Sequence, residues 1–445
     1  MSDGRGGLGQ IDELEREAEF ALRSAKTRGV RFVRLWFVDV LGLLKSVAVP
    51  VAQLENALVN GVGIDGSCLD GALRGQERDV IAVPDPGTFQ VLPWAAEADA
   101  ARMFCELRAP DGSPSPGDSR YALSRQLAVA AELGYVMQVG AEIEFFLFEK
   151  STDGAPPTPL DSGSYFDLTP LDAGTPFRRA TIEHLEQMGI PVKASHHEAA
   201  PSQHEVDLEH TDALSMADAI TTFRLAVKEV AQEGGAYATF MPKPLAGEFG
   251  SGLHLHLSLF VGGHNAFFDE DPDTPLSPEG RAFLAGVLAH AREFTAVTNQ
   301  WTNSYKRLVP GFEAPESAVW TLGGRSSLVR VPSNRPLQPG AARIELRSPD
   351  PGCNPYLALA CILAAGLRGI ERGYLLPPAD ETHPATPALP RDLREATVAL
   401  AESELVREAL GDRLVDALVR NKLAELEAER ATITESERAL LLRLL

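Results

Sequence analysis

Three segments of this 445-residue chain alternate polar and apolar residues with a period of two. They are "GAEIEFFLF" at residues 140–148, "SGLHLHLSL" at 251–259 and "ARIELRS" at 342–348. Successive side chains of a strand point to opposite faces, so each segment has one apolar face that suits a core. The opposite faces carry acidic, basic and imidazole groups. We therefore predict that the three strands share a sheet and turn their polar faces toward one space.

Each polar face alone also fits an ordinary solvated surface or a ladder of cross-strand charges. Their combination favours a functional site, because few surface strands place histidines and arginines opposite leucines. The residues predicted to face the shared space are Glu142, Glu144, His254, His256, Ser258, Arg343, Glu345 and Arg347.

A fourth segment, "ASHHEAAPSQHEVDLEH" at residues 194–210, places Glu198 and Glu205 on either side of a Pro-Ser-Gln turn. It could be a polar loop, or the turn could bring both carboxylates to the same site. Many carboxylates with one histidine and no cysteine select Mg²⁺ or Mn²⁺ over zinc. The set is too large for one ion and suits two or three. Arginines among such ligands indicate a bound phosphate.

The composition narrows the choice of partners and compartment. Acidic residues outnumber basic ones by 62 to 41, and no basic cluster compensates, so we expect no nucleic-acid partner. No uncharged apolar run reaches about 18 residues, which predicts no membrane span. The start "MSDGRGGLGQ" is unlike a secretory signal, and the four cysteines form no CxxC pair. These features predict a cytoplasmic protein.

The order of elements predicts two unequal domains. A helix at residues 11–28 and a hairpin around Asp39–Gly42 belong to a small mixed domain that ends near residue 112, before the linker "DGSPSPGDSR" at 111–120. The Gly- and Pro-rich segment 303–332 is predicted to be a lid or a solvated connection. Further helices are predicted at residues 121–133, 212–234, 279–299 and 354–373, with a long helical tail at 391–443.

Eight segments, in the same order as in that family, resemble glutamine synthetase of the bacterial type I class. They are "GIDGSC", "GAEIEFF", "GSYFD", "HHEAAPSQHE", "KPLAGEFGSGLHLHLS", "NSYKRLVPGFEAPES", "GRSSLVRVP" and "ARIELRSPDPGCNPYLALA", over about residues 30–370. "RFVRLWFVDVLG" and "PDPGTFQVLPW" make the chain similar to the actinobacterial γ-glutamylpolyamine synthetase-like branch.

The resemblance implies an α+β fold with an N-terminal helix (1–28), a β-grasp-like domain (29–112) and a catalytic domain (113–445). The catalytic domain would hold a curved antiparallel sheet surrounded by helices. The resemblance also implies a homo-oligomer, a dodecamer of two stacked hexamers, in which neighbouring subunits share each active site.

The family's roles transfer to matching residues. Ligands of the first metal are Glu144, Glu198 and Glu205, and ligands of the second are Glu142, His254 and Glu345. The ATP contacts are His256, Ser258, Arg330 and Arg343. The acid-substrate contacts are Gly250, Arg307 and Arg347. Arg325 faces the transferred phosphate, while Asp65 of the adjacent subunit, Glu313 and Tyr165 form the amine pocket.

The implied activity is ATP-dependent ligation of glutamate, or a close analogue, to an amine or ammonia. Phe249 replaces an asparagine that holds the amino acid's head group in the family, which leaves the acid substrate open. The differences favour a specialised amine ligase over the housekeeping glutamate–ammonia ligase. The same residues also leave open a phosphotransferase of the guanidino-kinase type and a non-catalytic ring protein.

Overall fold

The structure is a computed structural model that describes residues 4–73, 75–94, 99–150, 157–271, 276–333, 338–379 and 388–445, with the backbone alone for residues 4–12. The helices of these residues are α1 (Gly4–Thr27), α2 (Leu54–Asn60), α3 (Ser119–Glu132), α4 (Thr175–Gln187), α5 (Ala213–Glu233), α6 (Pro278–Thr298), α7 (Ser304–Arg307), α8 (Pro355–Arg372), α9 (Leu393–Glu402), α10 (Glu404–Leu410), α11 (Asp412–Ala431) and α12 (Glu435–Leu441). The strands are β1 (Phe32–Val38), β2 (Leu44–Pro50), β3 (Val62–Asp65), β4 (Asp79–Pro84), β5 (Gln90–Val91), β6 (Ala100–Arg108), β7 (Val136–Glu149), β8 (Val192–His197), β9 (Gln203–Asp212), β10 (Ala236–Thr239), β11 (Leu253–Val261), β12 (His264–Asn265), β13 (Trp320–Thr321), β14 (Val329–Arg330) and β15 (Ile344–Leu346).

The smaller sheet is built from the N-terminal strands in the order β2-β1-β6-β4-β3, with β5 also paired to β6. Strands β1 and β2 form the antiparallel hairpin predicted around Asp39–Gly42. The carboxylate of Asp39 fixes the turn by accepting hydrogen bonds from the backbone N–H groups of Leu41 (3.0 Å) and Leu43 (2.9 Å). The apolar face of this sheet, which includes the fully buried Leu35, packs with α1 in a small core.

The larger sheet has the strand order β13-β14-β15-β11-β7-β9-β8, with β10 paired to β7 and β12 paired to β11. Strand β7 is antiparallel to both of its long neighbours, β11 and β9. Its apolar residues Ile143 and Phe145 are buried in the same core as Leu255 of β11. Helix α5 packs on β7 and β9, so helices cover this apolar face and the polar face is left for a site.

The helical tail predicted at 391–443 consists of four helices, α9 to α12, within the described residues. Ser403 ends α9 and caps α10 by accepting a hydrogen bond on its hydroxyl oxygen from the N–H of Val406 (3.0 Å). Gly411 then takes a φ of +84°, which glycine tolerates and which stops α10. Thr434 begins α12 with a capping box.

Helix α11 joins the C-terminal part of the chain to the loop that follows β3. Two arginines contact the buried carboxylate of Asp70, with Arg413 Nη2 at 2.7 Å from Oδ1 and Arg78 Nη1 at 2.9 Å from Oδ2. Asn421 of α11 also donates a hydrogen bond from Nδ2 to the carbonyl oxygen of Asp70 (2.8 Å). Charge and hydrogen bonding therefore hold this loop against α11.

The predicted linker at residues 111–120 follows β6, and its last two residues already belong to α3, where the small sheet ends and the larger part of the chain begins. The boundaries at residues 28 and 112 stay predictions. None of the helices in the described ranges combines the length and the apolar character needed to cross a membrane.

Candidate active site

The three polar strand faces predicted from the sequence meet in the larger sheet, where β7, β11 and β15 are direct neighbours. In the antiparallel register His254 lies opposite Glu142, and His256 lies opposite Glu345. A cavity of about 220 Å³ lies over this face. The predicted residues that line it are Glu142, Glu144, Tyr165, Glu198, Glu205, Gly250, His254, Arg307, Glu313, Arg325, Arg330 and Arg347.

Two groups of potential metal ligands meet at His254, which lines this cavity, although Glu345 of the second group is fully buried and does not line it. One ligand atom from each of Glu144, Glu205 and His254 lies within 4.8 Å of the others, and the same holds for Glu142, His254 and Glu345. The second group is the predicted second ligand set, whereas the first group contains His254 in place of the predicted Glu198, which lines the cavity but belongs to neither group. The assignment of each residue to a particular ion stays a prediction.

A third group, missed from the sequence, consists of His196, Glu205 and Asp207, whose ligand atoms also lie within 4.8 Å of one another. His196 Nε2 is 3.3 Å from Oε1 of Glu205. Asp207 follows Glu205 by two residues on β9, so both side chains point to the same face. The alternation of "QHEVDLE" carried this signal, and it would have identified Asp207.

The carboxylates of the cavity are shielded from water and repel one another. Burial, reinforced by the charge of Glu144, raises the pKa of Glu198 to about 7. Burial and the neighbouring carboxylates raise the pKa of Glu205 well above its usual value. Burial also raises the pKa of Glu144 to about 7, although the charge of Arg307 opposes the change. Cations would relieve this repulsion, so oxygen ligands with one imidazole fit hard divalent ions here.

Two histidines of β11 stabilise the charged form of Glu142. His256 Nε2 lies 2.7 Å from Oε1 of Glu142, and His254 Nδ1 lies 3.2 Å from Oε2. Burial opposes ionisation, but these hydrogen bonds outweigh it and hold the pKa of Glu142 below its usual value. Burial and the charge of Arg347 lower the pKa of His254 to about 4. Its imidazole is therefore neutral at pH 7 and has a lone pair available for a cation.

Arginines line the same cavity, with Arg307 and Arg347 buried and Arg330 partly exposed. Glu345 is fully buried between Arg330, whose Nε lies 2.5 Å from Oε2, and Arg347, whose Nη1 contacts Oε1. Burial opposes ionisation of Glu345, but His254 and the arginines hold its pKa below the usual value. Arg307 is also buried and donates from Nη1 to the carbonyl oxygen of Ser348 (2.7 Å). These cations are fixed in place and can hold an anionic substrate without rearranging.

The rim of the cavity carries Arg325, Glu313 and Tyr165. Arg325 Nη1 lies 3.6 Å from Oε2 of Glu313, and the guanidinium carbon lies 5.7 Å from the ring centre of Tyr165. The segment 303–332, predicted to be a lid or a connection, contains α7, β13 and β14, and Glu313 lies between α7 and β13. Glu313 takes a φ of +52°, an uncommon conformation for a residue other than glycine.

A second cavity, of about 640 Å³, adjoins the first. Glu142 and Asp207 line both cavities. His256, Ser258 and Arg343 line it, as expected if it holds the nucleotide, and Arg343 Nε lies 3.2 Å from Nδ1 of His256. The fourth predicted ATP contact, Arg330, lines the first cavity instead. Its contact with ATP stays a prediction.

Of the predicted site residues, the fully buried Glu345 lines neither cavity, and neither does Asp65. Asp65 ends β3, and its carboxylate accepts hydrogen bonds from the backbone N–H (2.9 Å) and the hydroxyl (2.6 Å) of Ser67. The expectation that an adjacent subunit supplies this residue stays a prediction.

Gly250 and Phe249 form the wall next to Arg307. A Cβ added to Gly250 would lie 2.3 Å from the carbonyl oxygen of Pro242, so only glycine fits. Gln203, which was not predicted, bridges this wall to the ligand groups by donating from Nε2 to the carbonyl oxygen of Gly250 (3.1 Å) and to Glu144 Oε2 (2.9 Å). The ring of Phe249 packs edge to face on Phe312 with ring centres 5.7 Å apart, which gives the cavity an aromatic border.

Two protein-family models match the chain. Residues 29–110 match the glutamine synthetase β-grasp domain, and residues 116–441 match the glutamine synthetase catalytic domain. The predicted fold class, α+β with a small β-grasp-like domain ahead of a larger catalytic domain, is confirmed.

Curated relatives extend over nearly the whole chain. The glutamine synthetase of Mycolicibacterium smegmatis is 52% identical over 439 residues, which cover 95% of this chain and 98% of the relative. That of Methanosarcina mazei is 45% identical over 428 residues, which cover 93% and 95%. The branch resemblance to γ-glutamylpolyamine synthetase-like enzymes stays a prediction.

Among solved structures, a GmaS/ADP complex superposes with a TM-score of 0.86 at 32% sequence identity, covering 95% of this chain and 99% of that one. The cryo-EM structure of Plasmodium falciparum glutamine synthetase gives a TM-score of 0.87 at 24% identity, covering 96% and 98%, and shows likeness of fold alone. The chain therefore belongs to the glutamine synthetase family of ATP-dependent ligases.

Proposed function

We propose that this ligase phosphorylates the γ-carboxylate of L-glutamate, or a close analogue, and joins it to an amine or to ammonia. The products are a γ-glutamyl amide, ADP and phosphate. The observation that carries the proposal is one cavity in which oxygen-rich ligand groups, buried arginines and Glu313 face one another.

The proposed metal ligands are the two groups that share His254, together with Glu198. Oxygen-rich sites of this kind favour Mg²⁺ or Mn²⁺, two or three per active site. When bound, such ions neutralise phosphate charge and polarise the terminal phosphoryl group. Burial and mutual repulsion raise the pKa of Glu198 and of Glu205, which supports cation binding here.

The chain's own cations position the two substrates. His256, Ser258 and Arg343 would bind the nucleotide, and Arg330 and Arg325 its terminal phosphate. Gly250, Arg307 and Arg347 would hold the acid substrate. A carboxylate oxygen of the acid then attacks the γ-phosphorus in line, and the bond to the β–γ bridging oxygen breaks with release of ADP. The acyl phosphate that forms is sensitive to water, so the segment carrying Glu313 would close over it.

The second step needs an uncharged nitrogen nucleophile. Glu313 and Tyr165, with Asp65 from an adjacent subunit, would attract the ammonium group, and a carboxylate would accept its proton as general base. The free amine attacks the acyl carbon, and phosphate leaves with the electron pair of the broken C–O bond. This role requires a homo-oligomer, proposed as a dodecamer of stacked hexamers.

The acceptor separates the two leading candidates. The curated relatives at 45–52% identity carry the name glutamine synthetase, which supports ammonia as the acceptor. Phe249 stands where the family has an asparagine, and it forms an aromatic border with Phe312. This difference supports a specialised substrate. A larger primary amine is our preferred acceptor.

The test is phosphate release by the purified protein with ATP, Mg²⁺ and glutamate, measured with ammonia, ethanolamine, putrescine or spermine and without an acceptor. We expect release to depend on both glutamate and an acceptor. Release with glutamate alone would indicate an uncoupled phosphotransferase, and no release with any acceptor would contradict the proposal.

A matched pair of variants tests the role of Glu313. We expect Glu313→Gln to lower the rate of amide formation at least 100-fold, which is within the range expected for a general base, while ATP binding stays close to wild type. Glu316→Gln changes an exposed carboxylate on the same segment and should retain activity. Equal losses of ATP binding and amide formation in Glu313→Gln would refute the assigned role.

A further inference from the structure

A cavity of about 560 Å³ lies between the β1–β2 turn, one side of α5 and residues 301–303, outside the two cavities of the active site. Its volume falls within the range of about 300–1,000 Å³ that is typical of small-molecule sites. Pro242 lines it, and the carbonyl oxygen of Pro242 accepts a hydrogen bond from the N–H of Ser251 (2.8 Å), next to Gly250 of the active-site wall. The cavity is therefore separate from the active site but touches its frame.

Two cations one helical turn apart on α5, Arg224 and Lys228, line this cavity. Arg224 donates from Nη2 to the carbonyl oxygen of Cys353 (2.7 Å), but its Nε has no hydrogen-bond partner among the described residues. Within the described ranges, neither cation takes part in an ion pair. Nε of Arg224 is buried and Nη2 is used, so Nη1 of Arg224 and the ammonium of Lys228, which lies 5.9 Å from the ring centre of Phe240, are the groups left for a ligand.

The carboxylate in the lining does not neutralise these cations. Glu425 accepts a hydrogen bond from the N–H of Thr302 (2.8 Å) and pairs with Lys422 at 3.6 Å. Burial lowers the pKa of Arg224, and burial together with the charge of Arg224 lowers that of Lys228. A bound anion would remove this electrostatic cost.

The rest of the lining is mostly apolar and aromatic, with Leu225, Phe240 and Trp301 among its members. Such walls bind a hydrocarbon body, and a few converging polar groups fix its orientation. An inorganic anion would leave these apolar walls exposed to water. A neutral apolar molecule would leave the two cations unpaired.

We propose that this cavity binds a small organic anion, with its acid group between Arg224 and Lys228 and its apolar body against Trp301 and Phe240. This site is independent of the catalytic proposal. Since the segment Phe240–Pro242 contacts the Gly250 wall, the bound anion would stabilise the frame of the acid-substrate site.

The test uses the fluorescent anion 8-anilinonaphthalene-1-sulfonate with the full-length oligomer. We expect one saturable site per chain that a saturating excess of Mg·ATP does not displace. Lys228→Gln should weaken the affinity about tenfold, in line with the loss of one charge-assisted contact. Leu225→Trp fills the cavity and should abolish binding, and Lys150→Gln, which changes an exposed lysine elsewhere, should leave the affinity unchanged.

Two further measurements keep the inference falsifiable if Leu225→Trp fails to fold. The uncharged analogue N-phenyl-1-naphthylamine should bind at least tenfold more weakly, because it lacks the acid group. Hydrogen exchange should slow in residues 239–243 when the anion binds. Equal affinity of wild type and Lys228→Gln, equal affinity of the two dyes, or displacement by Mg·ATP would each overturn the proposal.

Discussion

Lys422 of α11 is a buried cation whose removal should stabilise the protein. Its side chain is 0% exposed, and its ammonium group has no hydrogen-bond partner within the described part of the chain. Its ion partner, Oε2 of Glu425, lies 3.6 Å away, and the ammonium also lies 4.4 Å from the ring centre of Trp301. These contacts replace only part of the hydration that the charge loses on folding.

The size of this cost follows from the change in pKa. Burial lowers the pKa of Lys422 from 10.5 to about 8. The gap corresponds to about 3 kcal/mol at neutral pH. The folded protein binds this proton less tightly than the unfolded chain, so the free energy of unfolding rises between pH 8 and 10.5. The destabilisation caused by Lys422 is therefore absent above its unfolded pKa of 10.5. It is fully present once the pH has fallen below its folded pKa of about 8.

We therefore expect Lys422→Met to raise the free energy of unfolding at pH 7 by about 2 kcal/mol, because methionine fills a similar volume without a charge. The gain stays below about 3 kcal/mol because Glu425 loses its partner. At pH 10 the gain should fall below about 1 kcal/mol.

The assay is urea denaturation at pH 7 and pH 10, at one fixed protomer concentration. Lys26→Met replaces an exposed lysine near the end of α1 and should change the stability by less than about 0.5 kcal/mol at either pH. A destabilised Lys422→Met at pH 7, or a gain that does not shrink at pH 10, would refute the reasoning.

Three other perturbations test separate parts of the structure. Arg413→Ala removes one of the two guanidinium partners of Asp70 and should lower the free energy of unfolding, measured in urea, by about 2 kcal/mol. The control Arg420→Ala alters an exposed arginine of α11 and should leave the free energy of unfolding nearly unchanged. Gly250→Ala places a Cβ 2.3 Å from a backbone oxygen. It should raise the KM for glutamate about tenfold, equivalent to about 1.4 kcal/mol, with little change in the KM for ATP. The control is Gly63→Ala, whose added Cβ meets no atom within 4 Å. Removal of divalent cations with EDTA should lower the melting temperature, and Mg²⁺ at about 100 times its Kd should restore about 2.7 kcal/mol; an equal response in Glu205→Gln would contradict the assigned ligand.

Strand alternation was sufficient to predict which side chains of each strand share a face. It indicated that Glu142 and Glu144 point one way while Ile143 packs in the core, and the structure agrees. It could not show that His254 lies opposite Glu142, because strand register depends on contacts between distant parts of the chain. The positions of the site residues therefore followed from local pattern, and their pairing required the structure.

Two differences from the sequence prediction have local causes. Residues 391–443 were predicted to be helical without internal boundaries, and the structure adds breaks at Ser403 and Gly411, where capping and a positive φ end individual helices. The strand predicted at 342–348 is shorter, Ile344–Leu346, because only these three residues pair with β11. Periodicity reports the environment of side chains and does not fix where backbone pairing stops.

His254 belongs to both ligand groups, and a neutral imidazole has a single ring proton. Its Nδ1 faces Glu142 at 3.2 Å, and its Nε2 faces Glu144 at 3.7 Å. A cation that takes the lone pair on one side obliges the ring to present its N–H on the other. His254 can therefore ligate only one of the two cations, so the two positions are unequal, and we expect a calorimetric titration to resolve a tight and a weaker step in place of two equal ones.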